Sequence, residues 1–307
     1  MSEDNFNQFE QSAPDNESEE PIFLRGNYKG DTREQPILDF LKRTICPFFT
    51  FQSFSFIIII LYIIVFIISL IPHGINEWKK KYHFLPPSIE TLSDFDLDGS
   101  KIREKFYKAY RWITAGFLHG DFSHLFSNCF SILILGTIME YLIGTWRFIA
   151  IYFLSGILGG LFKLLVDHEK ASVGASICIC GIISASIGYC ILNWRDLPKI
   201  CGCQNRYCIL IIPILIAMMN IPNIKDEYEY KEDEKDEKEN DIDAYGHIGG
   251  LIFGFFLSFI FIKPKDEGSV AFLTAQILFI SGIVICCIFA LAGYLCFYLM
   301  DKYKENK

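Results

Sequence analysis

Apolar residues in this chain are gathered into long blocks that polar segments separate. The first block, residues 54–71, contains no charged side chain. About twenty helical residues cross the hydrocarbon core of a bilayer, so a block of this length predicts a transmembrane helix. Six further blocks follow, at about residues 113–140, 148–166, 173–192, 207–221, 244–262 and 272–298. Backbone amides in lipid must be paired within their own segment, so we expect all seven blocks to be helices.

These blocks divide the chain into three expected parts. Residues 1–45 are polar and acidic and contain no apolar block, so we expect a disordered tail without a secretory signal. Residues 46–265 hold the first six predicted helices and are expected to form one membrane domain. Residues 266–307 hold a seventh, C-terminal transmembrane helix and a short tail. The predicted fold class is all-α, a multi-pass integral membrane protein in the lipid bilayer.

Composition narrows the class of partner. Hydrophobic residues make up 51% of the chain, and the mean hydropathy is +0.30, which suits a membrane protein with polar extensions. The formal net charge is −8, and the loop 223–243, with eleven acids and four lysines, contributes −7 of it. Such a charge run predicts a solvated loop. A chain with this balance gives no reason to propose a nucleic-acid partner.

Two segments carry weak metal-binding patterns. Asp94, Asp96 and Asp98 repeat the spacing that begins an EF-hand loop, but the twelfth position, which needs a carboxylate, is Lys105. Three cysteines within residues 201–208 would suit zinc binding or palmitoylation, although one CxC pair with a distant third cysteine is also typical of an ordinary loop. We therefore predict no metal site and no cofactor.

Polar side chains stand near the starts of the second, fourth and sixth predicted helices. They are His119, His124 and Asn128 on the second, Ser176 on the fourth and His247 on the sixth. Ionisable groups inside a membrane are costly, so each is a functional candidate. Alternate helices run in the same direction across the bilayer. Their starts therefore share one face and one depth, which favours a common site over three separate packing roles.

The residue types suit acyl transfer. A serine hydroxyl needs a base to become a good nucleophile, and histidine has a pKa near the working pH, so Ser176 and His247 can form such a pair. His124 and Asn128 lie four residues apart on one helical face, and both can donate hydrogen bonds to a developing oxyanion. His119 would lie about 140° around the same helix from His124. A structural role suits His119 better.

Small residues accompany the polar ones on the same helical faces. Gly250 and Gly254 follow His247 at i+3 and i+7, and Cys180 and Ser184 follow Ser176 at i+4 and i+8. Small residues let transmembrane helices approach closely, so we expect the fourth and sixth helices to meet along these faces.

The motifs resemble those of the rhomboid family of intramembrane serine proteases. Residues 119–128 resemble the family's HxxxxHxxxN, and residues 247–254 resemble its HxxGxxxG. Arg111 stands where the family's Trp-Arg pair has its arginine. The segment after the second helix also looks like that of the family, with Gly136, Glu140, Gly144 and Arg147. The resemblance covers about residues 54–262.

The resemblance implies a function and a set of roles. Ser176 would be the nucleophile and His247 the general base, in a dyad without an aspartate. His124, Asn128 and the Ser176 backbone amide would form the oxyanion hole. Supporting positions would be His119, Gly174, Gly250, Gly254 and Arg111. The substrates would be single-pass membrane proteins, cut within their transmembrane segments, and the extra C-terminal helix is similar to the six-plus-one arrangement of eukaryotic members.

Membrane orientation follows from the same resemblance. It implies a cytoplasmic N-terminus and a lumenal or extracellular catalytic face, in the secretory pathway or the plasma membrane. Short basic loops around Arg147, residues 195–206 and residues 263–265 fit a cytoplasmic side. The lysines at 79–81 would then be lumenal, against the usual distribution of positive charge.

Three positions depart from the family pattern. Ile177 replaces the last glycine of GxSG, Gly246 replaces an alanine, and Cys180 replaces an aromatic residue. Ile177 leaves a second function open, that of an impaired rhomboid-like pseudoprotease that binds membrane clients without cutting them. A third alternative is an unrelated seven-helix channel, receptor or transporter, but its polar residues should line a whole pore. We expect Gly249 and Gly250 to make room for Ile177 and predict an active enzyme.

Overall fold

The computed structural model describes the chain in several stretches, at residues 48, 50–72, 74–75, 84–97, 110–166, 172–194, 197, 211–216, 244–264, 277–289, 291–293 and 295. The predicted tail 1–45, the acidic loop 223–243 and the cysteines within 201–208 lie outside these residues. Within them the chain is helical and contains no sheet.

Eight helices are numbered here in chain order, namely α1 (Phe54–Ser69), α2 (Ile89–Ser93), α3 (Arg111–Thr114), α4 (Phe122–Ile143), α5 (Thr145–Val166), α6 (Ser176–Leu192), α7 (Ala244–Phe261) and α8 (Ile277–Gly293). Residues 211–216 are also helical. Each of the seven predicted blocks therefore contains helix.

Among the described residues, α4, α5 and α7 are long and apolar enough to cross a membrane, while α1, α6 and α8 are shorter apolar helices. On α1, one side is buried, with Ile58, Tyr62 and Phe66, and the other exposes a continuous apolar face that includes Ile57 and Ile64. An apolar face of this extent on a helix is suited to lipid rather than water. The described residues thus have the architecture of an all-α membrane protein.

Helix α4 begins later than the sequence predicts. The residues before it form α3, a 3₁₀ turn at Ala115–Phe117 and an extended Leu118. His119 lies in this connection, so the prediction that placed it on the second helix is wrong. The physical reason is Asp121, whose side chain accepts a hydrogen bond of 2.8 Å from the backbone N–H of His124. A carboxylate in this position satisfies a free amide of the first turn and fixes the helix start.

The far end of α4 holds α1 and α5 in place through Glu140. Its carboxylate accepts hydrogen bonds from the backbone N–H groups of Phe54 and Ser55, both at 2.8 Å, and from the Ser55 hydroxyl at 2.7 Å. The Thr145 hydroxyl donates to it at 2.9 Å. We call these four residues the Glu140 cluster. A carboxylate at the start of α1 also suits the positive end of the helix dipole.

Between its two ends, α4 contains a π-helical turn at Ile132–Gly136. The turn accommodates one more residue than a regular α-helical turn would. It lies between the part of α4 that carries His124 and Asn128 and the part that carries Glu140.

Helices α6 and α7 meet along glycines, as the small-residue pattern predicts. A Cβ atom added to Gly250 would lie 3.2 Å from the Cβ of Cys180, and one added to Gly254 would clash with the backbone of Gly181. Gly254 therefore packs on Gly181, and Ser184, which shares the predicted face, donates its hydroxyl to the Gly181 carbonyl instead. Contacts this close require both helices to lack a side chain at the crossing.

Candidate active site

Ser176 is the first residue of α6 and is buried, with 8% of its surface exposed. The residue two before it, Gly174, has a φ of +119°, a conformation that favours glycine. Its N–H donates to the Ala115 carbonyl at 2.8 Å, which ties the chain before α6 to the 3₁₀ turn. The amide of a first helical residue has no intrahelical partner and lies at the positive end of the helix dipole. The Ser176 hydroxyl and amide thus stand together at a helix start.

His247, in the first turn of α7, lies directly beside Ser176. Its Nε2 atom is 2.7 Å from the Ser176 Oγ atom, a hydrogen-bond distance. The two residues are 71 positions apart in the chain. When Nε2 is unprotonated it can accept the serine proton, which is the arrangement that activates a nucleophile.

Two residues of α4 border the same place from the other side. A Cβ atom added to Gly174 would lie 2.6 Å from Cε1 of His124 and 3.7 Å from Nδ2 of Asn128. The backbone just before Ser176 therefore packs against both side chains, and only glycine leaves them room. His124 is also close enough to His247 for their charges to interact. The structure brings together four residues that the sequence predicts to act together.

Asn128 is a buried polar side chain that packs near Gly174. None of its surface is exposed, and neither Oδ1 nor Nδ2 meets a hydrogen-bond partner among the described residues. A buried amide without a partner costs roughly 1–3 kcal/mol, so it calls for an explanation. A donor kept free for a charge that appears only during a reaction is one such explanation.

His119 lies next to this cluster although it is not on α4. Its ring centroid is 5.3 Å from that of His124 and 5.2 Å from that of Tyr62, both in edge-to-face geometry. The ring is fully buried, and neither nitrogen reaches good hydrogen-bond geometry, although the Phe117 carbonyl lies nearby. Sequence reasoning did not find Tyr62, because nothing in an apolar block marks one tyrosine as close to the site.

Ile177 is buried between three helices and does not separate Ser176 from His247. A Cβ atom added to Gly159 of α5 would lie 2.7 Å from Cγ2 of Ile177, and 2.7 Å from the backbone nitrogen of Gly250. Gly249 packs on the Gly159 backbone as well. The expected contribution of Gly249 and Gly250 is therefore accompanied by a glycine of α5 that sequence reasoning missed. The group of glycines at 156–160 was the signal that could have found it.

Arg111 forms hydrogen bonds to the end of α2 and the segment that follows it, not to the serine or the histidine of the site. Its NH1 atom donates to the Asp96 carboxylate at 2.7 Å, to the Asp96 carbonyl at 3.1 Å and to the Ser93 carbonyl at 2.9 Å. Both charged side chains are buried. Asp96 belongs to the segment with EF-hand-like spacing, and its carboxylate is engaged by an arginine. Arg111 thus fixes the residues after α2 against α3.

Comparison with known proteins agrees with the motifs and with the helical architecture. A model of the Rhomboid domain matches residues 107–264. RHOMBOID-like protein 5 of Arabidopsis thaliana is 31% identical over 195 residues, which are 62% of this chain and 56% of that protein. Inactive RHOMBOID-like protein 8 of Arabidopsis thaliana is 28% identical over 169 residues, 55% of this chain and 42% of that protein.

A relative from a different organism is also similar to this chain. Rhomboid-like protease 3 of Toxoplasma gondii is 27% identical over 161 residues, which are 52% of this chain and 55% of that protein. The chain spans about half the length of the curated relatives it matches. Because the Rhomboid domain covers more than half of the 307 residues and its site motifs meet in space, the chain belongs to the rhomboid family.

Proposed function

We propose that this chain is an intramembrane serine endopeptidase that cleaves transmembrane segments of single-pass membrane proteins. The observation that carries the proposal is the 2.7 Å separation of Ser176 Oγ and His247 Nε2 at the starts of two packed helices. Membership of a family that includes a relative named as a protease supports it.

The reaction follows from the positions of these groups. Ser176 Oγ attacks the scissile carbonyl carbon while His247 Nε2 takes the hydroxyl proton. The carbonyl oxygen becomes an oxyanion, which Asn128, His124 and the Ser176 amide stabilise as donors. The C–N bond then breaks, and His247 gives its proton to the departing amine. Water, with His247 again as base, hydrolyses the acyl-enzyme and restores the Ser176 hydroxyl.

The second candidate is a pseudoprotease that binds membrane clients. Two observations favour it, namely Ile177 in place of the motif glycine and a relative that is named as inactive. The contacts of Ile177 weigh against it. The side chain packs toward Gly159 on α5, and the hydrogen-bond distance between Ser176 and His247 is kept. We therefore favour the enzyme.

The same proposal includes the membrane arrangement. Residues 46–265 would form the catalytic domain with six transmembrane helices, and residues 266–307 would add the seventh. The tail 1–45 would be cytoplasmic, and the catalytic face would be lumenal or extracellular, in the secretory pathway or at the plasma membrane. The common position of the starts of α4, α6 and α7 supports a site at one membrane face.

A serine-reactive fluorophosphonate probe tests the proposal on the detergent-purified full-length protein. The native protein should be labelled and Ser176→Ala should not. Ser184→Ala is the matched control, because Ser184 is buried on the same helix and bonds only to its own helix backbone in the described structure. Cleavage of a single-pass substrate in liposomes gives the second measurement.

Ile177→Gly separates the two candidates. An active native protein whose rate changes little in Ile177→Gly supports the enzyme. A native protein that neither reacts nor cleaves, and gains both abilities in Ile177→Gly, would establish the pseudoprotease instead.

A further inference from the structure

Three aromatic rings form a continuous row from α1 to the site. The Tyr62 ring meets His119 at 5.2 Å and 64°, and His119 meets His124 at 5.3 Å and 71°. Tyr62 and His119 are almost wholly buried, with 1% and 0% of their surfaces exposed. The row ends at a side chain that borders Ser176 through Gly174.

The far end of the row is anchored on α5. The Tyr62 hydroxyl is hydrogen-bonded to the Tyr152 hydroxyl. Tyr152 is in turn held between aromatic neighbours, stacked on Phe148 at 6.0 Å and edge-on to Phe54 at 6.3 Å. Tyr62 is therefore held both by its ring contacts and by the hydrogen bond of its hydroxyl.

His119, the middle ring of the row, depends on its neighbours for its orientation. Neither nitrogen of His119 reaches good hydrogen-bond geometry, so ring contacts with Tyr62 and His124 do much to set its rotation. Rotation about the last side-chain bond of histidine is soft in itself. A small cavity of about 40 Å³ also borders Tyr62 and Gly174. Loss of the Tyr62 ring would remove the edge-to-face contact with His119 and would enlarge this cavity beside it.

We propose that Tyr62, tied to Tyr152, is a positioning residue that orients His124 through His119. The proposal rests on the function proposed above, because His124 acts there as an oxyanion donor. A donor must aim at the place where the charge develops, and a displacement of about 1 Å can cost about 100-fold in rate. Tyr62 contacts His119 and also packs edge-on against Phe117 of the 3₁₀ turn at 5.8 Å, so the experiment must separate an effect through the histidines from one through that turn.

The experiment measures kcat and KM for Tyr62→Leu, Tyr62→Phe and Tyr152→Phe in the full-length protein. Tyr62→Leu should lower kcat by about 10- to 100-fold with little change in KM, approaching the loss expected for removal of one oxyanion donor. The two phenylalanine variants keep their rings and lose only the hydroxyl tie, so each should lower kcat a few-fold. Phe66→Leu is the matched control, since Phe66 is buried on the same face of α1, and it should leave kcat unchanged.

A double variant distinguishes positioning from ordinary packing. If Tyr62 acts through His124, Tyr62→Leu should cause no further loss of kcat in a His124→Ala background, because contacting residues of one network are not additive. Equal losses in both backgrounds would overturn the proposal. If Tyr62→Leu does not fold, the phenylalanine variants replace it, and an unchanged kcat in both would overturn the tie to Tyr152.

A readout independent of activity completes the test. In protein labelled with ¹⁵N-histidine, the ring signal of His124, assigned through His124→Ala, should shift in Tyr62→Leu and stay in place in Phe66→Leu. An unmoved signal in Tyr62→Leu would overturn the proposal. If the native protein neither reacts with the probe nor cleaves, the proposed function fails, while the His124 signal still decides whether Tyr62 positions it.

Discussion

Helix α4 carries two buried polar groups that contrast sharply. Asn128 and Glu140 are twelve residues apart, which is about 18 Å along a helix. Both carboxylate oxygens of Glu140 are bonded, to donors from α1 and α5. Both polar atoms of Asn128 lack a partner among the described residues, although the side chain is more deeply buried. One end of the helix is satisfied and the other is left open.

The difference suggests that Glu140 stabilises the fold, whereas Asn128 is available for the proposed reaction. A fully bonded carboxylate that caps one helix and contacts the next stabilises the fold and has no capacity left for a substrate. An unbonded amide stabilises nothing until a new acceptor arrives. In a protein whose surroundings offer little water, such an open group is costly, and in the proposed mechanism this cost provides an oxyanion donor. A mutation of Asn128 should therefore lower turnover and leave stability unchanged, whereas a mutation of Glu140 should lower stability and leave the reactivity of Ser176 unchanged.

The largest effect is expected at the dyad. Ser176→Ala and His247→Ala should each abolish cleavage of a co-expressed single-pass substrate, because either change removes the nucleophile or its base. The melting temperature in detergent should stay within a few degrees of the native value. Normal cleavage by either variant would show that Ser176 and His247 are not the nucleophile and its base. Asn128 would then have no catalytic pair to assist.

Asn128→Ala comes next and should affect turnover alone. Loss of one oxyanion donor typically costs about 2.7–4 kcal/mol, or 10²–10³ in kcat. Stability should be unchanged or slightly higher, because the change removes a buried amide that has no hydrogen-bond partner among the described residues. Measurements of kcat and of thermal unfolding test the predicted loss of turnover and the predicted unchanged stability. A clear loss of stability would show that Asn128 has a structural role and would break the contrast with Glu140.

Glu140→Ala should show the opposite pattern. The change leaves the amides of Phe54 and Ser55 without their acceptor, and hydrogen bonds to a charged group contribute about 1.5–3 kcal/mol each. We expect a large drop in melting temperature, while the protein that remains folded still reacts with a fluorophosphonate at Ser176. Glu140→Gln, which keeps an acceptor oxygen, is the control and should lose less. Loss of labelling at a temperature where the variant is folded would contradict the division of roles.

The smallest effect is expected at Ile177. This residue packs between helices and belongs neither to the site around Asn128 nor to the contacts of Glu140. Ile177→Val removes one methyl group from a buried side chain and should cost about 0.5–1.5 kcal/mol of stability. Turnover per folded molecule should not change, because the side chain packs on Gly159 and not on the dyad. Unfolding and cleavage assays on the same samples measure stability and turnover separately. A change in turnover per folded molecule would contradict the prediction.

Spacing along the sequence was enough to predict which residues meet at the site. Helix direction alternates from one span to the next, so Ser176, His247, His124 and Asn128 could be assigned to one membrane face without coordinates. The prediction for His119 was wrong because the capping side chain of Asp121 makes α4 begin later than hydropathy suggests. Capping acts over three residues, a scale on which a block average carries no information.

Contacts between distant helices were beyond sequence reasoning. Glu140 was recognised as part of a motif, but its partners in α1 lie 85 and 86 residues away. The glycines at 156–160 mark a small face on α5, but only the crossing of α5, α6 and α7 shows that Gly159 lies against Ile177. Periodicity tells which face of a helix is small, and the neighbour that occupies that face depends on how the helices cross.

The π-helical turn at Ile132–Gly136 has a consequence for how the two ends of α4 can diverge among relatives. One residue removed from this turn would rotate the rest of the helix by about 100° relative to its start. Glu140 would then leave the start of α1, while Asn128 kept its place beside Gly174. A relative that lacks the π turn should therefore align with this chain only through a one-residue gap at the turn. An ungapped alignment would match Asn128 correctly and assign the wrong residue to the position of Glu140.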